Sequence, residues 1–265
     1  MSYSDNKLLD ILKDLKENHN ICGIKAEFGE EGINYEEASF LKGLASDADL
    51  NFTIKIGGCE ALRDIKDAKK LDANTIVAPM IESEYACQKF IKAVETAYNM
   101  NIPKDLKLYI NIETITGYKN LENILHHKDF SVIEGIIMGR TDFTLSLGMT
   151  KNQTDCNDLY EIAENIANLA HKNGKKFIVG GNISADSVNF LKKLYPNNID
   201  KFETRKVIFD INNLDENKLH EGIIKALEFE LVWLNYKKEV YDSMTTEDYK
   251  RIENLEAKCN FIITK

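Results

Sequence analysis

Between residues 21 and 240, short apolar runs alternate with stretches whose apolar side chains recur every three to four positions. The apolar runs fall at 21–28, 52–56, 75–80, 106–113, 135–138, 176–181 and 201–209. Helical patterns follow them near 34–48, 59–70, 84–99, 118–127 and 157–173, from Ser184 onward, and over 215–240. Most of the runs are continuously apolar, as expected of strands covered on both faces, so the alternation predicts a parallel sheet wrapped by helices. Seven such units predict an α/β fold of the (β/α)8 TIM-barrel type, which closes with eight strands. The eighth strand is expected either at 260–264 or in an irregular stretch near the N-terminus. An open doubly wound sheet is the alternative, but no GxGxxG follows the first run and no GxxxxGK[ST] occurs.

A helix is expected before the first strand, because Leu8, Leu9, Ile11, Leu12 and Leu15 share one helical face. At residue 34 an Asn precedes a helical pattern with Glu37 three positions on, the signature of a capping box. The chain has three prolines, Pro79, Pro103 and Pro196, and no Gly/Ser-rich linker. One domain over 1–265 is therefore expected, with a C-terminal helical extension over about 241–265, of which the charged segment 241–258 is expected to pack on a neighbouring subunit.

The formal net charge of −9 comes without a block of Lys and Arg, which argues against a nucleic-acid surface. Cys22, Cys59, Cys87, Cys156 and Cys259 form no CxxC pair, as expected of reduced thiols. No signal-peptide core opens the chain, and no apolar run approaches the roughly 18 residues of a membrane span. A cytoplasmic protein is the expectation.

In a parallel barrel, polar residues at the C-terminal ends of the strands meet at one mouth. Here they are Lys25 and Glu27, Lys55, Asn111 and Glu113, Arg140 and Asp142, and Glu203 and Arg205. Within each pair the spacing is two, so both side chains project the same way wherever the backbone is extended. Structural ion pairing around the barrel is the plain alternative to a site. Glu113 and Asp142 are the expected metal ligands: two carboxylates completed by water and substrate oxygens suit Mg2+ or Mn2+ better than Zn2+. His19, His126, His127, His171 and His220 all fall outside the strand ends, which disfavours a histidine base. Lys55, Arg140 and Arg205 are candidate anion clamps, and Gly57-Gly58 before a helix offers free backbone N–H groups.

Three motifs in order, Ile-Val-Ala-Pro-Met-Ile-Glu at 76–82, Ile-Glu-Thr-Ile-Thr-Gly at 112–117 and Gly-Arg-Thr-Asp-Phe-Thr-Leu-Ser-Leu-Gly at 139–148, carry a family likeness. The chain resembles the HpcH/HpaI aldolase and citrate lyase beta-subunit family of the phosphoenolpyruvate/pyruvate superfamily over residues 20–210. The resemblance implies an oligomeric (β/α)8 barrel that holds Mg2+ or Mn2+ through Glu113 and Asp142 and stabilises an enolate. Departures are local. The family's Asp/His base motif is replaced by Lys25 to Glu31, its substrate arginine by Lys55, and its Gly-Pro before the metal Asp by Gly139-Arg140.

Together these features predict a metal-dependent carbon–carbon lyase or aldolase acting on a small anionic 2-oxo acid. Glu27 would serve as acid/base, with Lys55 and Arg140 acting beside it. Substrate contacts would come from Lys25, Gly57, Gly58, Thr114, Thr141 and Arg205. Other enolate chemistry, such as acyl-thioester hydrolysis, and a non-catalytic metabolite-binding barrel are the alternatives.

Overall fold

The computed structural model describes residues 3–211 and 215–263. The order of elements is α1 (Tyr3–His19), β1 (Ile21–Glu27), α2 (Tyr35–Asp47), β2 (Asn51–Lys55), α3 (Leu62–Lys70), β3 (Thr75–Ala78), α4 (Glu84–Ala97) and β4 (Lys107–Ile112). There follow α5 (Ile115–Lys119), α6 (Leu121–Leu125), β5 (Gly135–Gly139), α7 (Arg140–Ser146), α8 (Asn157–Lys172), β6 (Lys176–Gly180) and α9 (Val188–Leu194). The last elements are β7 (Lys201–Glu203), β8 (Val207–Asp210) and α10 (Glu216–Ile263). The strands close into a barrel in sequence order.

The TIM-type barrel expected from the alternation is present, with one correction. Strands β1 to β7 run parallel, but β8 pairs antiparallel with both β7 and β1. The expected single strand over 201–209 is a hairpin, and its turn, Thr204 to Lys206, is too short for the crossover that a parallel partner needs. Thr204 fixes the turn: its N–H donates to the Val207 carbonyl at 2.9 Å, and its Oγ1 accepts the Val207 N–H at 3.1 Å. Phe202 and Phe209 stack across the hairpin with ring centroids 4.5 Å apart. The eighth strand is thus not at the C-terminus, where α10 continues through Ile263; Thr264 lies outside the described residues.

Amphipathic patterning sets the rest. The expected capping box is formed, with Asn34 Oδ1 accepting the Glu37 N–H at 2.8 Å and Glu37 Oε2 the Asn34 N–H at 3.0 Å. On α1, Leu8, Leu12 and Leu15 are fully buried. Phe229 and Trp233 of α10 are buried too, and Phe40 of α2 stacks on Trp233 and Tyr236. Inside the barrel a separate apolar layer of Val77, Tyr109, Ile137 and Ile178 fills the middle. It leaves the polar positions of the strands to the two ends. Among the described residues, Cys22, Cys59, Cys87 and Cys156 form no disulfide, and no helix is long and apolar enough to cross a membrane.

Candidate active site

At the C-terminal ends of the strands the barrel holds a cavity of about 120 Å³, lined by Lys25, Glu27, Lys55, Asn111, Glu113, Gly139, Thr141, Asp142, Gly180, Glu203 and Arg205 among others. That size is well below the several hundred Å³ of a drug-sized pocket, so the mouth suits a ligand of a few heavy atoms. The period-two spacing works where the backbone is extended: Lys25 and Glu27 both face inward from β1, as do Asn111 of β4 and Glu113 just after it.

Register then pairs the charges. Glu27 lies opposite Lys55 across β1 and β2, and Lys55 Nζ is 3.1 Å from Glu27 Oε1 and 3.6 Å from Glu113 Oε2. The Lys25 ammonium donates to Glu203 Oε1. Glu113 is held from two sides: Oε1 accepts the Met80 N–H at 2.9 Å, and Oε2 accepts from Asn111 Nδ2 at 2.8 Å. Met80 takes a φ of +51°, a costly conformation for a side chain of this kind, and so presents its N–H to the mouth. Gly139 on the neighbouring strand makes the space, because a Cβ there would stand 2.5 Å from Glu113 Oε2.

These contacts set the protonation. Burial would raise the Glu27 carboxyl, but Lys55 and then Lys25 outweigh it and hold Glu27 below the ordinary carboxylate range. Burial works against the Lys55 ammonium, yet Glu113 and Glu27 hold it above the usual lysine value. A carboxylate so well stabilised is a weak base, and Glu27 is better suited to orienting Lys55 than to moving protons. Asp142 differs. Its burial, reinforced by Glu113, exceeds the pull of Lys55, and its carboxyl lies above the ordinary value.

Four sequence expectations find different surroundings. Arg140 does not face the mouth. The expectation assumed extended backbone, but α7 starts at Arg140, and at 100° per residue Arg140 and Asp142 leave the helix on nearly opposite sides. Arg140 is 0% exposed; it donates to the carbonyls of Gly180 at 3.2 Å, Thr154 at 3.3 Å and Gly181 at 2.9 Å, and pairs with Asp155. Thr114 caps α5: its Oγ1 accepts the Gly117 N–H at 3.0 Å and donates to Glu82. The Gly57 N–H is taken by Asp64 Oδ2 at 2.7 Å, and neither Gly57 nor Gly58 lines the cavity. Arg205 reaches the rim from the hairpin turn, half-exposed, with Glu30 at 3.2 Å.

The donor set fits a hard divalent cation. Glu113 and Asp142 share the cavity, Glu113's charge raises Asp142, and the buried Asn111 Oδ1 has no hydrogen-bond partner. Among the described residues no group of three or more His, Cys, Asp and Glu side chains is arranged to hold a metal. The protein would therefore contribute two carboxylates and leave the other positions to water and substrate oxygens. Glu203, seen in the sequence only as one more strand-end charge, is brought to the floor of the cavity. Its signal was its spacing two residues before Arg205, within an apolar run interrupted by Thr-Arg-Lys.

No curated protein sequence matches the chain. Solved structures do. An HpcH/HpaI aldolase from Desulfitobacterium hafniense DCB-2 aligns with a TM-score of 0.54 at 13% identity, covering 72% of this chain and 89% of the other. The citrate synthase SbnG aligns at 0.56 and 16% identity, covering 88% and 90%. An HpcH/HpaI aldolase/citrate lyase family protein from Burkholderia cenocepacia J2315 aligns at 0.56 and 11% identity, covering 74% and 92%. At these identities the likeness is one of fold. Membership comes from the family model, which matches residues 54–187 and takes in Lys55, Glu113 and Asp142: the chain belongs to the HpcH/HpaI aldolase/citrate lyase family.

Proposed function

We propose that the protein is a divalent-metal-dependent carbon–carbon lyase of the aldolase type, acting on a small 2-oxo acid. The observation that carries this reading is the meeting of Glu113 and Asp142, from the second and third family motifs, in a cavity of about 120 Å³ that also holds two buried ammonium groups. A Mg2+ or Mn2+ ion held by Glu113 and Asp142 supplies Lewis-acid stabilisation of negative charge that develops on a carbonyl oxygen.

The chain's own residues do the remainder. Met80 N–H and Asn111 fix the Glu113 carboxylate, so the ligand geometry exists before substrate arrives. Lys55, anchored by Glu27, presents a fixed positive charge to a substrate carboxylate; as a point charge it orients that group less strictly than an arginine fork. Thr141, on the same first turn as Asp142, lines the wall. The narrow mouth limits water around the reacting atoms, which strengthens each of these interactions.

The test is a panel of 2-oxo acids, plain and 4-hydroxylated, incubated with the protein and Mg2+ or Mn2+ and scored for released pyruvate. Metal-dependent release from at least one acid is expected. No release from any of them would overturn the lyase reading. Binding of metal and acid without turnover would favour a non-catalytic barrel, the reading supported by the absence of histidine from the residues lining the mouth.

A further inference from the structure

We propose that the N-terminal end of the barrel is a second binding site, built for a free aromatic α-amino acid. It is separate from the mouth and does not depend on the lyase reading.

The interior of a (β/α)8 barrel is ordinarily filled by layers of bulky branched side chains. Here the middle layer is filled, by Val77, Tyr109, Ile137 and Ile178, but the layer toward the N-terminal ends is not. Side chains alternate along a strand, so the inward positions of that layer lie two residues before an inward one. Two before Lys25, Lys55, Val77 and Ile137 stand Gly23, Thr53, Thr75 and Gly135, none of them bulky. The result is a cavity of about 570 Å³ that opens at that end, within the range of small-molecule sites and several times the size of the mouth. Gly135 is needed for its shape: a Cβ there would stand 2.7 Å from Tyr109 Cε1, so only glycine lets the ring lie where it does.

The lining offers polar groups at two depths. Inside, Thr53 and Tyr109 are 3% and 7% exposed, and neither hydroxyl has a hydrogen-bond partner among the described residues. Folded proteins rarely leave buried hydroxyls so. Burial, reinforced by Glu134 and Asp200, holds the Tyr109 phenol well above its usual value, so it stays protonated. At the rim two ion pairs cancel, Lys107 with Glu134 at 3.6 Å and Lys176 with Asp200 at 3.0 Å. Lys201 remains. It has no ion-pair partner among the described residues and lies beside the Cys22 thiol, which burial pushes up. Because β8 runs backwards, its far end returns to this face and sets Asp210 opposite Lys201 across the hairpin.

These groups select a ligand. A lone carboxylate would find Lys201 but also Asp210; a lone amine would find Asp210 and leave Lys201 unmatched. An α-amino acid carries both charges close together, as Lys201 and Asp210 are neighbours on paired strands. Its side chain enters between Val77, Ile137 and Ile178, which calls for an apolar body, and the Thr53 and Tyr109 hydroxyls call for one polar atom on it. An aromatic side chain with an N–H or O–H meets both demands, and a purely aliphatic one meets only the first.

The experiment is calorimetric titration of the full chain with L-tryptophan and L-tyrosine, and with tryptamine and 3-indolepropanoate, which lack the carboxylate and the ammonium. Saturable binding of an amino acid is expected, with each one-charge analogue weaker by about 10-fold or more, as loss of a charged hydrogen bond requires. L-Leucine should also bind more weakly. Lys201→Met should weaken binding by about 10-fold or more and Thr53→Val by about 3–10-fold. Thr75→Leu, which returns a bulky side chain to the empty layer, should abolish it. Circular dichroism checks the fold of each variant, and Lys201→Met, at the half-buried rim, decides if Thr75→Leu does not fold. No binding of either amino acid at millimolar concentration would overturn the proposal and make the cavity a solvent-filled gap. Equal affinity for an analogue would overturn the zwitterion assignment, and an affinity within a factor of about 3 of the wild type in folded Lys201→Met would overturn the location.

Discussion

The mouth and the nest around Arg140 are neighbouring clusters divided at Thr141, and they are built differently. Around Arg140 the guanidinium meets Asp155 and three carbonyls, with the Phe190 ring 4.6 Å away. The set closes on itself. In the mouth, Glu27, Glu113, Asp142 and Glu203 face Lys25 and Lys55, and two acceptors lack donors. A satisfied buried network rigidifies the fold, whereas a partly satisfied one carries a standing cost that a ligand can relieve. The first therefore ties the start of α7 to the segments at Thr154–Asp155 and Gly180–Gly181, and the second keeps acceptors that a ligand could satisfy.

The largest effect should come from breaking the closed cluster. Arg140→Met leaves three carbonyls without this donor and Asp155 with the Ser187 hydroxyl alone, and should cost about 3–5 kcal/mol, as removal of one partner of a buried pair does. Urea denaturation followed by circular dichroism measures it; a midpoint equal to the wild type's would refute the structural role. For the open cluster the balance reverses. Glu113→Gln should leave the denaturation midpoint nearly unchanged, because Lys55 keeps Glu27, while metal-dependent turnover falls about 10²–10³-fold. Full turnover in that variant would remove Glu113 from the metal pair.

The comparison also shows what could be read from residues alone. The strand–helix rhythm was legible because continuous apolar runs and 3.6-residue periodicity are local signals, and the capping box at Asn34 was legible for the same reason. Glu113 and Asp142 were legible as motif carboxylates. Arg140 was not, since its direction depends on α7 starting at once after β5, and a spacing of two means one face on a strand but opposite faces on a helix. Thr114 and Gly57 failed similarly: their polar groups are used by Gly117 and Asp64, partners fixed only by the folded loops. The reversal at β8 was hidden because a three-residue turn inside an apolar run leaves little trace. Glu203 stayed one charge among many until its place on the cavity floor became visible in three dimensions.

A smaller effect sharpens the contrast from within the mouth. Gly139→Ala is compatible with the backbone there, φ −84° and ψ 88°, but its Cβ would press on Glu113 Oε2. Metal affinity measured by calorimetric titration should weaken by about 10-fold, as when ligand orientation is disturbed. Unchanged affinity would mean that the Gly139 cradle does not set the Glu113 geometry.

The smallest effect is expected at Glu27, and it depends on pH. Burial raises this carboxyl, but Lys55 and Lys25 more than offset it, so the folded value lies below the unfolded one, near 4.5. A group depressed in this way stabilises the fold above its unfolded pKa, and that contribution disappears as pH falls through the folded value. Glu27→Gln keeps the shape and removes the charge, leaving Lys55 to Glu113. It should cost about 0.5–1.5 kcal/mol at pH 7, the net worth of a typical intramolecular hydrogen bond, because Lys55 keeps Glu113. The gap between wild type and variant should hold above the unfolded value, begin to narrow as pH falls through about 4.5, and close in strong acid. Urea midpoints of both proteins at stepped pH decide it: a gap that already closes near neutrality would mean that Glu27 carries a raised pKa and is itself a proton carrier, while a gap that persists in strong acid would mean that packing, rather than the Lys55 pair, makes Glu27 matter.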